Sequence, residues 1–230
     1  MKFIVIGLGN FGASLAEKLT KQGNEVIGID NSMAKVSAFK EKISHTICLD
    51  ATDEQTVSDL PLKNTDIVMV CIGEDQGTNV VVTAILKNLE VKRLISRSIN
   101  PLHEKILRAL GVDEIIRPEE ETAERWAKKL MLKGIVDSFE LNQEFSVIEI
   151  VTPEYFIGKT IEEIGFRQNY NVIMLTIIKN ANKSSFFGKD KTISTVQGIA
   201  QPDVQIERDD ILVFYGHNQD LHKIGRIKGV

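Results

Sequence analysis

The sequence predicts an α/β fold, with a mostly parallel sheet followed by a second, smaller α+β domain. In the first half, short Val- and Ile-rich runs alternate with longer stretches of helical period, which is the pattern of βαβ units. After residue 134 the chain changes to strands separated by turns of Gly, Asn and Asp. A chain of 230 residues has room for two modest domains. We therefore expect a Rossmann-like doubly wound parallel sheet and a separate, smaller domain.

Six strands are predicted for the first sheet. They lie at residues 2–6, 25–29, 45–49, 66–72, 93–96 and 113–116. Three of the helices between them begin at residue types that cap helices, Ser32, Asp53 and Asn100, and a proline follows the last of these. The first domain is expected to span residues 1–134 and to end in a helix at about 118–134.

That last helix carries an apolar stripe and an acidic first turn. The stripe consists of Ala123, Trp126, Ala127, Leu130 and Met131. Three Glu residues occupy the first turn, where the helix dipole favours negative charge. The stripe packs either into its own domain or, because large aromatic residues are enriched at interfaces, against another subunit or domain. The residues alone leave both possibilities open.

The second domain is predicted at residues 143–230. Its strands are expected at residues 145–151, 171–179 and 210–215, with short helices near 160–164 and 219–225. The boundary between the domains is expected around residues 134–143, where small and polar residues interrupt the apolar pattern.

Composition excludes several classes of protein. Basic and acidic residues number 28 and 32, so a formal net charge of -4 provides no overall positive field for binding nucleic acid. No apolar run approaches the roughly 18 residues that a membrane-spanning helix needs, and the first apolar run is too short for a secretion signal. Cys48 and Cys71 lie in apolar segments without metal-ligand spacing. We expect a soluble, cytoplasmic protein.

A glycine-rich motif directly follows the first strand. Gly7, Gly9 and Gly12 form G-x-G-x-x-G between that strand and a helix. In such a motif the first glycine makes a tight turn, the second lets a diphosphate approach the backbone, and the third lets the helix pack on the strand. The N–H groups that open the helix then bind the phosphate. The motif therefore predicts a dinucleotide site.

Two further segments end strands at the same edge of the predicted sheet. Asp30 follows Gly12 by 18 residues, where a carboxylate accepts hydrogen bonds from ribose hydroxyls and repels the 2′-phosphate of NADP. Asp50, Ala51 and Thr52 end the third strand and are assigned to the adenine side of the site. A cap for the next helix is the alternative role of this second segment.

The residues show no evident catalyst. Tyr155 and Lys159 have the Tyr-x-x-x-Lys spacing of short-chain dehydrogenases, but that chemistry needs both residues on one helix face. Here Pro153 and Gly158 favour a turn. The four His residues are dispersed and a Walker motif is missing. A nucleotide site without a catalyst fits a sensor, in which the ligand favours one conformation, so we expect no enzyme activity.

Four segments together resemble one protein family. They are FIVIGLGNFG at residues 3–12, GID at 28–30, DAT at 50–52 and GVDEIIRPE at 111–119. With these segments the chain is similar to the TrkA/KtrA family, the regulatory subunits of bacterial potassium uptake systems. Members combine an RCK (regulator of potassium conductance) N-terminal domain with a smaller RCK C-terminal domain. The C-terminal half of this chain matches mainly in length and pattern.

The resemblance implies a pocket for NAD(H), ADP or ATP. The implied lining is Gly7, Gly9, Asn10, Phe11 and Gly12 at the diphosphate, Asp30 with Asn31 at the ribose, Asp50, Ala51 and Thr52 at the adenine, and Ile72, Gly73 and Arg97 closing the pocket. Members that respond to ATP often have Arg where this chain has Asn10. Because a charge-assisted phosphate contact is then missing, NAD or ADP is favoured over ATP.

Two more ligands follow from the same resemblance. Glu119 matches the position that in some members helps to bind a divalent cation near the phosphates; favourable interaction with the helix dipole is the alternative role. Arg167, in the second domain, lies where some relatives bind cyclic di-AMP.

The implied function is control of potassium flux by ligand-dependent conformational change. RCK units pair, and the pairs form an octameric or tetrameric ring on the cytosolic face of a membrane potassium transporter subunit of the TrkH/KtrB type. The last helix of the first domain crosses to the partner subunit, which favours an interface role for Trp126, Leu130 and Met131. The alternatives are an NAD-dependent oxidoreductase and an RCK-type regulator of another cation transporter.

Overall fold

The structure, a computed structural model, describes residues 1–131, 134–183 and 191–225. The chain divides into two units, Met1–Glu121 and Thr122–Val230. This division falls inside the helix predicted at about 118–134, and the predicted domain limits of 1–134 and 143–230 stay predictions.

A parallel sheet forms the centre of the first unit. Its strands are β1 (Lys2–Ile6), β2 (Glu25–Asp30), β3 (His45–Cys48), β4 (Ile67–Val70), β5 (Leu94–Arg97) and β6 (Glu114–Ile116). The connecting helices are α1 (Asn10–Lys21), α2 (Met33–Phe39), α3 (Glu54–Ser58), α4 (Gln76–Asn88) and α5 (Pro101–Ala109). The strand order is β3-β2-β1-β4-β5-β6, and the predicted doubly wound parallel sheet is confirmed.

Helices cover both faces of this sheet because its strands are apolar on both sides. In β1, Ile4 and Ile6 belong to one core with residues of α3 and α4, whereas Phe3 and Val5 belong to a second core with residues of α1 and α2. Strands buried on both faces form nearly continuous apolar runs, which is the pattern that predicted them. The strand order reverses between β1 and β4, and ligands of such folds bind beyond the carboxyl ends of the strands at this point.

Polar side chains begin several of the helices. Asp53 and Asn100 accept hydrogen bonds from backbone N–H groups at the starts of α3 and α5, as predicted. Asp75 does the same for α4, a cap that sequence analysis misses. Ser32 stands at the N-cap of α2 but makes no capping bond through its side chain.

The predicted final helix of the first domain is α6 (Pro118–Met131). Trp126 is 52% exposed and Leu130 is 77% exposed, so the described residues leave these two side chains largely uncovered. The side chain of Met131 lies outside the described residues. The interface role of all three stays a prediction. Across the described parts of the chain, no helix combines the length and apolar character that crossing a bilayer requires.

The second unit contains an antiparallel sheet. Its strands are β7 (Ile135–Glu140), β8 (Phe145–Val151), β9 (Val172–Lys183), β10 (Lys191–Val196) and β11 (Ile211–His217), in the order β10-β9-β11-β8-β7. The helices of this unit are α7 (Ile161–Ile164), α8 (Phe166–Tyr170) and α9 (Asn218–Gly225). Phe156, Phe166 and Phe214 are buried together in its core. The predicted smaller α+β domain is confirmed.

Two segments of this sheet were not predicted as strands. The stretch expected as a domain boundary contains β7, and β10 lies in a stretch without a predicted element. Both are edge strands, which commonly carry polar residues and therefore lack a strong apolar pattern. In β7, Asp137 is bonded to Arg125 of α6.

Gly12→Ala is expected to destabilise the first unit. A Cβ at Gly12 would lie 2.0 Å from the carbonyl oxygen of Gly7, so α1 would have to move away from the sheet. Overpacking of this kind typically costs about 1–3 kcal/mol. Urea unfolding should show a lower midpoint for the variant, while Ser14→Ala, on the exposed side of α1, should unfold like the parent. A Gly12→Ala protein as stable as the parent would contradict this close packing.

Candidate functional site

The glycine motif leaves the start of α1 open. The chain turns after β1 at Gly7, whose φ of 97° is strained for residues with a side chain, and Gly7 N donates to the carbonyl oxygen of Ile29 in β2 at 2.7 Å. Gly9 is the N-cap of α1 and supplies no capping side chain, and a Cβ built on it meets nothing within 4 Å. The first N–H groups of α1 therefore have room for an anion, which the helix dipole favours.

Asp30 connects the glycine motif to the end of β2. Asp30 as a residue is 7% exposed; its Oδ2 accepts from Leu8 N at 2.8 Å, and its Oδ1 accepts from Ser32 N at 2.9 Å. Lys35 Nζ lies 3.7 Å from Oδ2. Because each carboxylate oxygen can accept more than one hydrogen bond, this fixed group can still accept from ligand hydroxyls.

Asp50 follows β3 and forms a turn with Thr52. Its Oδ1 accepts from Thr52 N at 3.0 Å and from Thr52 Oγ1 at 2.7 Å. These hydrogen bonds, the backbone one first, hold the pKa of Asp50 below its ordinary value. The cap of the following helix is Asp53, so capping is not the role of the Asp50–Thr52 segment.

Arg97 ends β5 as a largely buried cation. Its side chain is 16% exposed, and the guanidinium carbon lies 5.9 Å from the centre of the Phe11 ring. Nη1 donates to the carbonyl oxygen of Cys71 at 3.4 Å, and Nη2 donates to Glu119 Oε1. The Arg97 Nε has no partner among the described residues.

These residues surround one cavity of about 360 Å³ at the carboxyl edge of the parallel sheet. The predicted site residues that line it are Gly7, Gly9, Asn10, Phe11, Asp30, Asn31, Asp50, Ala51, Ile72, Gly73, Arg97 and Glu119. Two predicted residues do not line it, since Gly12 packs α1 on the sheet and Thr52 is turned to Asp50. The structure thus brings together residues that follow or end all six strands of the parallel sheet.

Three charged residues of this cavity were not predicted from the sequence, namely Lys35, Glu74 and Asp75. Glu74 and Asp75 follow β4 at the same sheet edge, so their position in the sequence could have predicted that they line the cavity. Lys35 lies on α2, and nothing in its sequence context predicts this. With them, the cavity lining has five carboxylates against two cations, a formal charge of -3. Both cations are paired to carboxylates of the lining, Lys35 to Asp30 and Arg97 to Glu119.

Cys71 lines the cavity as a neutral thiol. Burial raises its pKa to about 12, well above physiological pH. A thiol held neutral is a weak nucleophile, so Cys71 is a packing residue of the cavity wall.

Glu119 is the predicted ligand of a divalent cation. The Glu119 carboxylate is bonded to Arg97, and the described residues contain no group of three or more His, Cys, Asp or Glu that could hold a metal ion. A divalent cation needs several oxygen ligands. Metal binding by Glu119 stays a prediction.

Arg167 and the Tyr155–Lys159 pair belong to the second unit. Arg167 lines a cavity of about 590 Å³ with Asn171 and His217. Tyr155 lies in the 3-10 helix Glu154–Phe156, and Lys159 Nζ lies 3.5 Å from the centre of its ring rather than beside its hydroxyl. The pair therefore does not share a helix face, in agreement with the turn predicted from the sequence.

Comparison with known proteins agrees with this architecture. The TrkA-N domain family matches residues 3–118. The chain is 32% identical over 222 residues to Ktr system potassium uptake protein C of Bacillus subtilis, covering 96% of this chain and 95% of that protein. It is 28% identical to Ktr system potassium uptake protein A of the same organism, covering 96% and 94%. The GsuK channel bound to NAD has the same fold, with a TM-score of 0.62 at 16% identity, covering 100% of this chain and 39% of that chain.

Fold and site define a Rossmann-type domain with an open helix N-terminus at a cavity, joined to a smaller α+β unit. Given the family match and the relative at 32% identity, the chain belongs to the TrkA/KtrA family of potassium uptake proteins.

Asp30→Ala should lower the stability of the first unit, because the buried Leu8 N–H loses its acceptor. An unsatisfied buried donor costs about 1–3 kcal/mol. Asp30→Asn keeps an oxygen that can accept from Leu8 N, so its loss should be smaller. Chemical denaturation of the three proteins measures the order, and an Asp30→Ala protein as stable as the parent would contradict a structural role for this hydrogen bond.

Proposed function

We propose that this protein is the regulatory subunit of a potassium uptake system and that it senses an adenine nucleotide in the first-unit cavity. Membership of the TrkA/KtrA family and the potassium uptake names of the two Bacillus subtilis relatives support the system. The observation that most supports a nucleotide as the ligand is the open N-terminus of α1 beside the buried Asp30 carboxylate.

In this proposal each part of the ligand meets a matching group. The diphosphate binds the N–H groups at Asn10 and Phe11, and the ribose hydroxyls donate to Asp30. The adenine lies by Ala51 and the apolar Leu49, both of which line the cavity. Asn31 lies beside Asp30 in the cavity lining. Thr52 and Gly12 act indirectly, because Thr52 donates to Asp50 and Gly12 packs α1 on the sheet. Ile72 and Gly73 close the pocket after the end of β4.

The charge of the cavity favours a dinucleotide or ADP over ATP. A lining with a formal charge of -3 repels each added phosphate, and the neutral Asn10 does not offset it. NAD⁺ brings a positive nicotinamide ring with its diphosphate and so adds less negative charge than ATP. GsuK, a channel of the same fold, has been solved with NAD bound, which supports NAD as one ligand.

The Arg97–Glu119 pair provides a route from ligand to conformation. Glu119 lies in the first turn of α6 and bonds to Arg97. A ligand phosphate that binds Arg97 competes with Glu119 for the guanidinium. Binding of the ligand therefore weakens the hydrogen bond that connects the start of α6 to Arg97. We propose that α6, through the exposed Trp126 and Leu130, contacts a second copy within a dimer-based ring on the cytosolic side of the membrane. A divalent cation at Glu119 would require oxygen ligands from the nucleotide phosphates or that second copy.

The second unit is proposed to bind a second ligand, with cyclic di-AMP as the candidate. Arg167 lines a cavity large enough for a nucleotide, and its guanidinium suits a phosphate.

Catalysis is not part of the proposal. The cavity thiol is neutral at physiological pH, and the Tyr155–Lys159 pair lacks dehydrogenase geometry. Turnover of reduced nicotinamide with an added carbonyl substrate would favour the oxidoreductase alternative. Docking on a sodium or proton exchanger instead of a potassium permease would favour a regulator of another cation transporter.

Isothermal titration calorimetry should rank ligands in the order NAD⁺ or ADP before ATP, with ATP weaker by about tenfold. Gly9→Ala should weaken binding of every nucleotide by at least about tenfold, because its methyl group occupies the space of the diphosphate, while costing about 1 kcal/mol or less of stability. Ser14→Ala is the control. ATP binding more tightly than ADP would contradict the charge argument, and full affinity in Gly9→Ala would contradict the phosphate cradle.

Exchange of the bound nucleotide should change affinity for the membrane subunit by about 5- to 150-fold. Biolayer interferometry against the transporter subunit in nanodiscs, with NAD⁺, NADH, ADP or no ligand present, measures this directly. Arg97→Met should dock but lose the nucleotide dependence. Equal affinity in every nucleotide state would refute the gating proposal.

A further inference from the structure

A buried polar cluster lies behind the cavity wall. Asn79 and Thr83 of α4, Ser96 of β5 and His103 of α5 are each at most 1% exposed. Polar groups buried this deeply are costly unless their hydrogen bonds are satisfied, so their arrangement is strongly constrained. We refer to these four residues as the Asn79 cluster.

The Asn79 amide connects the cluster to the cavity. Its Nδ2 donates to two carbonyl oxygens, that of Ile72 at 2.8 Å and that of Arg97 at 3.2 Å. Ile72 follows β4 and Arg97 ends β5, and both line the cavity. The ladder between these strands has its last pair at Val70 and Ser96. Asn79 therefore connects Ile72, which follows β4, to Arg97, the last residue of β5, just beyond the last backbone pair of the two strands.

The other three members fix which way this amide faces. Asn79 Oδ1 lies 3.1 Å from Ser96 Oγ, 3.4 Å from Thr83 Oγ1 and 3.2 Å from His103 Nε2. A carbonyl oxygen only accepts, so the proton of the His103 ring is on Nε2. Burial lowers the pKa of His103, in agreement with a neutral ring. With donors around the oxygen, the amide NH₂ is held toward the two carbonyls.

We propose that Asn79 is a positioning residue of the nucleotide site, which sets the backbone at Ile72 and Arg97 and thereby places the Arg97 guanidinium. The guanidinium donates back to the carbonyl of Cys71, next to Ile72, so both ends of Arg97 are tied to the chain after β4. The inference rests on the proposed function, since positioning matters only if Arg97 contacts a ligand.

A double-mutant cycle tests this role. The parent, Asn79→Ala, Arg97→Met and the double variant are each titrated with ADP and with NAD⁺ by calorimetry. Asn79→Ala should weaken binding about tenfold, the loss expected for misplacing one charge-assisted hydrogen bond. In the Arg97→Met background the same substitution should change affinity by less than about twofold, because it has no guanidinium left to position.

Thr65→Val is the matched control. Thr65 is 3% exposed and donates to the carbonyl oxygen of Pro61 at 2.9 Å, before the first residue of β4 and outside the Asn79 cluster. Removing this buried hydroxyl should lower the thermal midpoint, while affinity should stay within about twofold. Asn79→Ser keeps one donor; it should lose less affinity than Asn79→Ala and replaces it in the cycle if the alanine variant does not fold.

If the losses of affinity add in the double variant, or if Thr65→Val loses as much affinity as Asn79→Ala, the positioning role is overturned while the nucleotide site stays intact. A parent that binds neither ADP nor NAD⁺ would overturn the proposed function and this inference with it.

Discussion

The hydrogen bond from Leu8 N to Asp30 Oδ2 is the constraint on which the site depends. At 2.8 Å and buried, it ties the glycine motif after β1 to the end of β2. One carboxylate thereby fixes the turn, faces the cavity and carries the charge that suits ribose hydroxyls. Since Asp30 holds the turn from the side and Gly9 supplies no capping side chain, the N–H groups at the start of α1 stay accessible.

Each of the two cations in the cavity lining is paired with a carboxylate, and a charged ligand can take the place of one partner. Lys35 pairs with Asp30, and Arg97 pairs with Glu119, which belongs to the first turn of α6. In the proposed function, an anionic ligand would replace existing partners rather than fill a neutral space, and its binding free energy would be the difference between two sets of contacts. Such an exchange is what a sensor requires, because a ligand shifts a conformational equilibrium only through differential affinity.

The sequence predicts best those features that depend on residues close together in the chain. The turn at Gly7, the packing at Gly12 and the position of Asp30 follow from spacing along a single βαβ unit, and the structure brings them to one cavity. Arg97 was expected only by family resemblance, since nothing local distinguishes it from a surface Arg. The Asn79 cluster was not predicted at all, because its residues come from three elements and each is ordinary in its own segment. The edge strands β7 and β10 were missed for a different reason, as a partly solvated strand has a weak apolar period.

A crystal structure of the protein grown with NAD⁺ tests the central claim most directly. The account predicts density for the diphosphate on the backbone N–H groups of Asn10 and Phe11, with the adenosine ribose hydroxyls on the Asp30 carboxylate. Density for the nucleotide anywhere else, with the start of α1 left in solvent, would contradict it.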